Sequence, residues 1–585
     1  MRPSPCGRCE AAMTGLLNWL DHGGAAGDPL WHFPAEGMDR RLSELRTRSG
    51  VLAAGLAARG IRPGDRVVML LDTGSSAICL LLALWQLQAV PVPLRPWSGP
   101  VSGPASGAAS ELAGGSDRAG GFLRFLLEVT RRSDARLVVT DRPAAIPQLD
   151  PLLTTVEALE APLGPLPPAG GDIDGDVDGE GEGRADGLAL IQFSSGSTGQ
   201  PKGVMVTHAM VMAQLRQLAD NYAAAGSGRP PRSVASWLPF YHDMGLFIGI
   251  LLPLFTGADA MAAPPAWYMR NPARWFAAMA ARGSDLAFST SSVLAATLRG
   301  VRRLHGRGCD LSALILYVAA EKISPAVMDE AAAVLAPLGM PPSQLRAGYG
   351  MAEYTLGCTH SREPGLRRLR VRIAPGGRVL TDDSGDGGGE ALDLVSVGRP
   401  NDACDLVVRD EAGCPLGELM LGEITVAGPC LTPGYWRDEA MTQRALGRGW
   451  MRSGDLGFLH DGELFFVARK DEMLVVGGRN VIPADVELEV ESLPFVGPGR
   501  AVLFGADEPG GPRQVLLVEG NATSPPPVVS GRLTAIRRCI LDGFGFVPTD
   551  IAVVPKGTIE KTSSGKKRTA VIRRRWQAGA IPQLA

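Results

Sequence analysis

Helical and extended patterns alternate along most of this chain, and that alternation constrains the fold more than any other feature. The stretch RRLSELRTRSGVLAAGLAARG places apolar residues at helical spacing. DRVVMLL follows as a short buried strand, and SSAICLLLALWQLQ returns to helical spacing. FLRFLLEVTRRSDARLVVT repeats the order of helix then strand. Strands separated by helices do not pair as tight hairpins; they form parallel sheets with helices on their faces. The expected fold class is therefore α/β. At 585 residues the chain is too long for one ordinary core, so more than one domain is expected. We expect a large N-terminal domain over 1–470, with parallel and mixed sheets flanked by helices. A smaller, mobile α+β domain over 471–585 begins after FFVARKDEMLVVGGRN, where a fresh run of α/β pattern starts.

Composition narrows the function. A formal charge of −3 offers no field for gathering nucleic acid or an anionic membrane surface. The two apolar runs starting at Ala77 and Met244 are broken by Gln, Pro or Gly and fall short of the roughly 20 residues a membrane span needs. Neither reads as a span. The opening MRPSPCGRCEAAM lacks the apolar core of a secretory signal. Nine cysteines without a disulfide-like framework suit a reducing cytoplasm, the expected location. Cys6 and Cys9 form a CxxC, but one pair supplies only half a structural zinc site, and the segment reads as a mobile tail. Three stretches interrupt the alternation. Residues 99–121 are rich in Gly, Ser and Ala and read as a flexible surface loop. Residues 170–187 are acidic; their DxDGD start lacks the terminal Glu and flanking helices of a calcium loop, so a solvated acidic loop is expected. Residues 360–391, with DDSGDGGGE, read as an insertion.

The most informative single string is LIQFSSGSTGQPKGVMVTH. A buried strand gives way to Ser194, Ser195, Gly196, Ser197, Thr198 and Gly199, and then to Lys202. Backbone N–H groups exposed by glycine, with hydroxyls beside them, suit the oxygens of a polyphosphate. The string is not the P-loop GxxxxGK[ST], and in isolation a Ser/Gly loop is also an ordinary surface connection.

Six further strings follow in order: WLPFYHDMGL, AGYGMAEYT, GYWRDEA, GWMRSGDLGFL, ARKDEMLVVGGRN and EKTSSGKKR. Together, over nearly the whole chain, they resemble the adenylate-forming superfamily of acyl-CoA synthetases, luciferases and adenylation domains. FYHDMGL, YGMAEYTLG, LVSVGRP and GGRNVIPADVE look most like fatty acyl-AMP ligases. That resemblance implies an enzyme using ATP and Mg²⁺. It joins a carboxylic acid, of fatty type, to AMP and passes the acyl group to the phosphopantetheine thiol of an acyl carrier protein. By the same resemblance, Ser194 to Gly199 and Lys202 hold the β- and γ-phosphates, and Glu353 is a catalytic residue that ligates Mg²⁺. Tyr349 and Gly350 lie against the adenine, with Met351 beside them. Asp455 accepts from the ribose hydroxyls, assisted by Arg469. Lys566 is the catalytic lysine of the small domain, with Lys561 and Lys567 as neighbouring rivals. His242 orients the acyl carboxylate near the thiol route, and Asp471 is the hinge. AFSTSSVLAA and the segment after YHDMGL line the acyl pocket, and an insertion at about 358–394 hinders productive use of free coenzyme A.

The chain departs from the family pattern in places. An NGAEP-like string is replaced by Tyr317-Val318-Ala319-Ala320-Glu321-Lys322, Glu560 stands where a proline is usual, and Ala468 stands for a glycine. Two alternatives stay open: an acyl-CoA synthetase using free coenzyme A, and a non-catalytic acyl or nucleotide sensor.

Overall fold

Strands such as Arg66–Leu70, whose last four residues are all buried, need cover on both faces. The computed structural model supplies that cover with helices. It describes residues 27–96, 116–142, 146–161, 187–194, 201–374, 376–381, 391–476, 479–508, 511–520, 526–561 and 567–584. Arg66–Leu70 is central in a four-stranded parallel sheet with Val90–Leu94, Ala135–Thr140 and Leu153–Thr155. The apolar run from Ala77 is the buried helix Ser75–Gln86, which crosses between two of these strands. Such continuous burial is what a parallel sheet under helices demands.

A nine-stranded sheet forms the largest layer. Its parallel centre runs Leu345–Gly350, Ile315–Val318, Leu286–Ser289, Ser233–Ser236, Asp259–Ala262 and Leu30–Phe33. Antiparallel strands extend it on both sides: Met38–Arg41 beyond Leu30–Phe33, and Gly357–His360 then Arg399–Pro400 beyond Leu345–Gly350. The apolar run from Met244 is buried as consecutive short helical turns from Asp243 to Thr256. No helix among the described residues is long and apolar enough to cross a membrane.

The helices between these strands start where the sequence offers caps. Thr290 accepts from the Val293 N–H at the start of Ser291–Val301, and Ser324 accepts from the Val327 N–H before Pro325–Leu335. The helix Ser116–Ser133 begins inside the stretch expected to be loop up to residue 121. Phe122, Leu126 and Val129 supply its buried side, all within the stretch read as helical; only the Gly- and Ser-rich first turns were not.

The strands Asp405–Arg409, Gly422–Ala427, Met451–His460 and Glu463–Arg469 make a four-stranded antiparallel sheet. The residues expected to be an insertion are ordered where described. Arg368–Ile373 is the middle strand of a three-stranded sheet with Val379–Thr381 and Leu392–Val395, whereas Cys358 lies in the nine-stranded sheet. Val371, Val379 and Leu394 are buried against Phe458, Phe465 and Val467 of the antiparallel sheet and Ile482 beyond it. After Asp471 come the short hairpin Leu474–Val476 and Arg479–Val481, then a three-stranded sheet of Ala501–Glu508, Gly511–Gly520 and Asp550–Pro555. The helices Pro483–Ser492, Pro526–Phe544 and Thr569–Gln577 pack around it.

Candidate active site

The strand Leu188–Ser194 pairs antiparallel with Lys202–Thr207, and Ser194 stands opposite Lys202. The Ser/Gly string therefore connects two strands that pair with each other. Ser195, Gly196, Ser197, Thr198 and Gly199 lie outside the described residues, as does the side chain of Ser194. Past the string, Arg132 Nη1 donates to the Pro201 carbonyl at 2.7 Å. Gly203 has no room for a side chain: a Cβ there would meet the Phe193 ring at 2.8 Å.

A cavity of about 920 Å³ is lined by His242, Tyr349, Gly350, Met351, Glu353, Asp455 and Arg469. Seven predicted residues from four separate strings therefore converge on one space. Lys202 is not among its lining residues, and Lys566 lies outside the described residues.

Two local features aim the YGMAE string inward. Gly350 ends its strand where a Cβ would collide with the Leu356 carbonyl, so the chain can fold tightly back on itself. Ala352–Tyr354 then forms a single tight turn. Tyr349 is stacked on Phe466 with ring centroids 6.0 Å apart, and its hydroxyl donates to Asp455 Oδ2 at 2.7 Å. Burial, then the charge of Asp455, holds the Tyr349 phenol well above its ordinary range, so it stays a donor. Asp455 pairs in register with Arg469 across two antiparallel strands. Arg469 Nε lies 3.6 Å from Asp455 Oδ1 and 3.3 Å from Asp471 Oδ1. Burial alone would weaken the guanidinium charge, but Asp455 and Asp471 outweigh it and raise the Arg469 pKa.

Glu353 is held from outside its own string. The Tyr435 hydroxyl donates to Glu353 Oε1 at 2.8 Å, and the Thr432 N–H donates to the Glu353 carbonyl at 2.8 Å. His242 precedes the turn Asp243–Leu246, its Nδ1 2.5 Å from Asp243 Oδ1. On the apolar side, Met244, Phe288 and Ala295 share the cavity with Ser291 and Ser292. His360 also lines it, and burial pushes its imidazole pKa down from 6.5 to about 4, so the ring is neutral; Asn401 Oδ1 lies 2.9 Å from its Nδ1.

The departure at 318–322 has structural consequences. Ala320 adopts φ +74°, a left-handed conformation that disfavours side chains. Glu321 accepts from the Ser292 N–H at the start of the helix Ser291–Val301. Lys322 Nζ donates to Asp485 Oδ1 at 2.5 Å, tying the nine-stranded layer to the helix Pro483–Ser492. Lys567 is also engaged: it is 2.6 Å from Glu487 Oε2 and 2.7 Å from Glu491 Oε1. Burial opposes its charge, yet the two carboxylates prevail and raise its pKa.

Sequence reasoning missed Phe466, Tyr435 and the Lys322–Asp485 pair. Phe466 and Tyr435 both lie in strings it had singled out, FFVAR and GYW, but nothing in those strings says which partner each meets.

A family model described as AMP-binding enzyme matches residues 37–436. The chain is 28% identical over 567 residues to Long-chain-fatty-acid--AMP ligase FadD26 of Mycobacterium tuberculosis, covering 93% of this chain and 92% of that one. Among solved structures, one from a study of fatty acyl-adenylate ligases from E. coli and L. pneumophila superposes with a TM-score of 0.81 at 23% identity, covering 97% of this chain and 98% of that one. The fatty acyl-adenylate ligase from L. pneumophila in complex with acyl adenylate and pyrophosphate gives 0.68 at 21%, covering 100% and 99%. These two likenesses speak to the fold; the family match speaks to membership. The chain belongs to the AMP-binding enzyme family.

Proposed function

We propose that this chain is a fatty acyl-AMP ligase. In the first step a carboxylate oxygen of a fatty acid attacks the α-phosphorus of ATP; the bond from that phosphorus to the β-bridging oxygen breaks, and pyrophosphate leaves. In the second step the phosphopantetheine thiol of an acyl carrier protein gives up its proton and its sulfur attacks the acyl carbonyl. AMP leaves and a thioester remains. The observation that carries this reading is the convergence of Tyr349, Glu353, Asp455, Arg469 and His242 on one cavity that continues between Met244, Phe288 and Ala295. The likeness to a long-chain-fatty-acid--AMP ligase over 93% of the chain supports it.

In this reading Tyr349 and Phe466 form an aromatic wall for the adenine, with Gly350 and Met351 beside it. Asp455 accepts from the ribose hydroxyls, which a carboxylate held by Tyr349 and Arg469 does well. The residues Ser194 to Gly199 and Lys202 hold the β- and γ-phosphates. Glu353 is suited to Mg²⁺, because its carboxylate lines the cavity and hard cations prefer such oxygens. When bound there the ion offsets charge on the departing polyphosphate. His242 orients the acyl carboxylate. Lys566 stabilises the attacking carboxylate and an α-phosphate oxygen, and the pairing of Lys567 with Glu487 and Glu491 supports assigning that role to its neighbour. Residues 471–585 form the mobile domain that carries Lys566, turning about Asp471 on the 1–470 domain between the two steps. The free described cysteines fit a cytoplasmic enzyme.

The test is direct. Purified protein is incubated with ATP, Mg²⁺ and a panel of fatty acids, and acyl-adenylate is detected by mass spectrometry. Adenylate that persists with coenzyme A but is consumed by a phosphopantetheinylated carrier is the expected result. Rapid acyl-CoA formation would make the chain an acyl-CoA synthetase. ATP binding without adenylate from any acid would make it a sensor.

A further inference from the structure

The segment from Thr432 to Trp436 is laced to two parts of the site at once. On one side the Thr432 hydroxyl donates to the Met205 carbonyl at 2.7 Å, the Met205 N–H donates to the Gly434 carbonyl at 3.1 Å, and the Trp436 N–H donates to the Gly203 carbonyl at 2.7 Å. These bonds fasten the segment to the strand that begins at Lys202. On the other side the Thr432 N–H and the Tyr435 hydroxyl both reach Glu353, each at 2.8 Å. Tyr435 is only 4% exposed. Its N–H donates to Thr442 Oγ1 at 2.9 Å, and Gly434, at φ +150°, lies where a Cβ would press on the Thr442 side chain. The ring is thus locked on its backbone side, and its hydroxyl has one defined acceptor.

The geometry points to Tyr435 as a positioning residue for the metal-binding carboxylate. By donating to Oε1 it fixes the rotamer of Glu353 and leaves Oε2 to face a divalent cation. The same segment joins Glu353 to the strand Lys202–Thr207. This inference rests on the reading of Glu353 as the Mg²⁺ ligand. Hydrogen bonds to a ligating carboxylate orient it, and their removal typically weakens metal binding 10–100-fold.

The experiment compares wild type, Tyr435→Phe and Glu353→Gln. Mn²⁺ binding is followed by electron paramagnetic resonance with a non-hydrolysable ATP analogue present, and AMP binding is measured without metal. Tyr435→Phe should weaken Mn²⁺ binding by about 10-fold while metal-free AMP binding stays at the wild-type value. Wild-type Mn²⁺ affinity in Tyr435→Phe, with weakened affinity in Glu353→Gln, overturns the inference alone. Wild-type affinity in Glu353→Gln overturns the metal role of Glu353 and this inference together. If Tyr435→Phe does not fold, Thr442→Val is measured instead, because it releases the Tyr435 backbone. A loss of Mn²⁺ affinity with AMP binding retained is expected, and unchanged Mn²⁺ affinity overturns the inference.

Discussion

Lys322→Met should loosen the hold of the helix Pro483–Ser492 on the nine-stranded layer. The Lys322 and Asp485 side chains are 11% and 20% exposed, so most of the pair is shielded from solvent. The second Asp485 oxygen is buried with no hydrogen-bond partner among the described residues. Two unit charges about 4 Å apart attract by about 4 kcal/mol at an effective dielectric near 20. Removing both ions from water offsets part of that, leaving a net coupling of about 2 kcal/mol. Such a value corresponds to roughly a 30-fold shift in the balance between docked and undocked orientations. In the variant the unpaired Asp485 carboxylate regains water only by undocking, so undocking is the favoured response. Trypsin offers a simple assay, because Lys470 lies beside the proposed hinge and its side chain is 45% exposed. Cleavage after Lys470 that follows the open population should accelerate in Lys322→Met and in Asp485→Asn. The charge-swapped double variant, Lys322→Asp with Asp485→Lys, should restore the slow rate. Unchanged cleavage in both single variants, or no recovery in the double variant, would refute the reasoning.

Other perturbations test separate parts of the structure. His360 should make the protein acid-sensitive: its folded pKa of about 4 lies below the ordinary 6.5, so the unfolded chain takes up more protons in between. Stability from this residue is present above 6.5 and lost as pH falls toward 4, and the acid shift in thermal midpoint should shrink in His360→Gln. Lys567 acts at the other extreme. With a folded pKa raised above 10.5, it contributes stability that is complete below 10.5 and lost as pH climbs through the folded value. Lys567→Met should therefore lack that alkaline loss in a melting series and be less stable at neutral pH. Leu394→Ala should cost about 2–5 kcal/mol in urea unfolding, because Leu394 is 1% exposed between the small three-stranded sheet and the antiparallel sheet. Ala320→Gly should gain about 0.5 kcal/mol: the left-handed conformation costs alanine about 1–2 kcal/mol, and glycine's extra chain entropy takes back about 0.5–1.

Much of the architecture was legible in the sequence because burial and periodicity are local properties. Buried runs such as VVML required a sheet covered on both faces, and helical spacing between them required crossovers rather than hairpins. The helix Ser116–Ser133 was legible from Phe122 on, but its first turns were not, because the glycines and serines before Phe122 weaken a helical pattern without abolishing it. The motif strings named most of the residues that line the cavity, since each string is a short segment whose chemistry travels with it.

Which groups meet was decided elsewhere. The register that sets Asp455 opposite Arg469 depends on how two strands align. The hydrogen bond from Tyr435 to Glu353 spans 82 positions, and the Lys322–Asp485 pair spans 163. No local pattern encodes such distances. A side chain's polarity and size determine whether it is buried and which element it joins, and these are written residue by residue. Its partner is fixed only when separate layers dock, because a hydrogen bond of 2.8 Å requires an alignment that the packing of whole sheets and helices supplies.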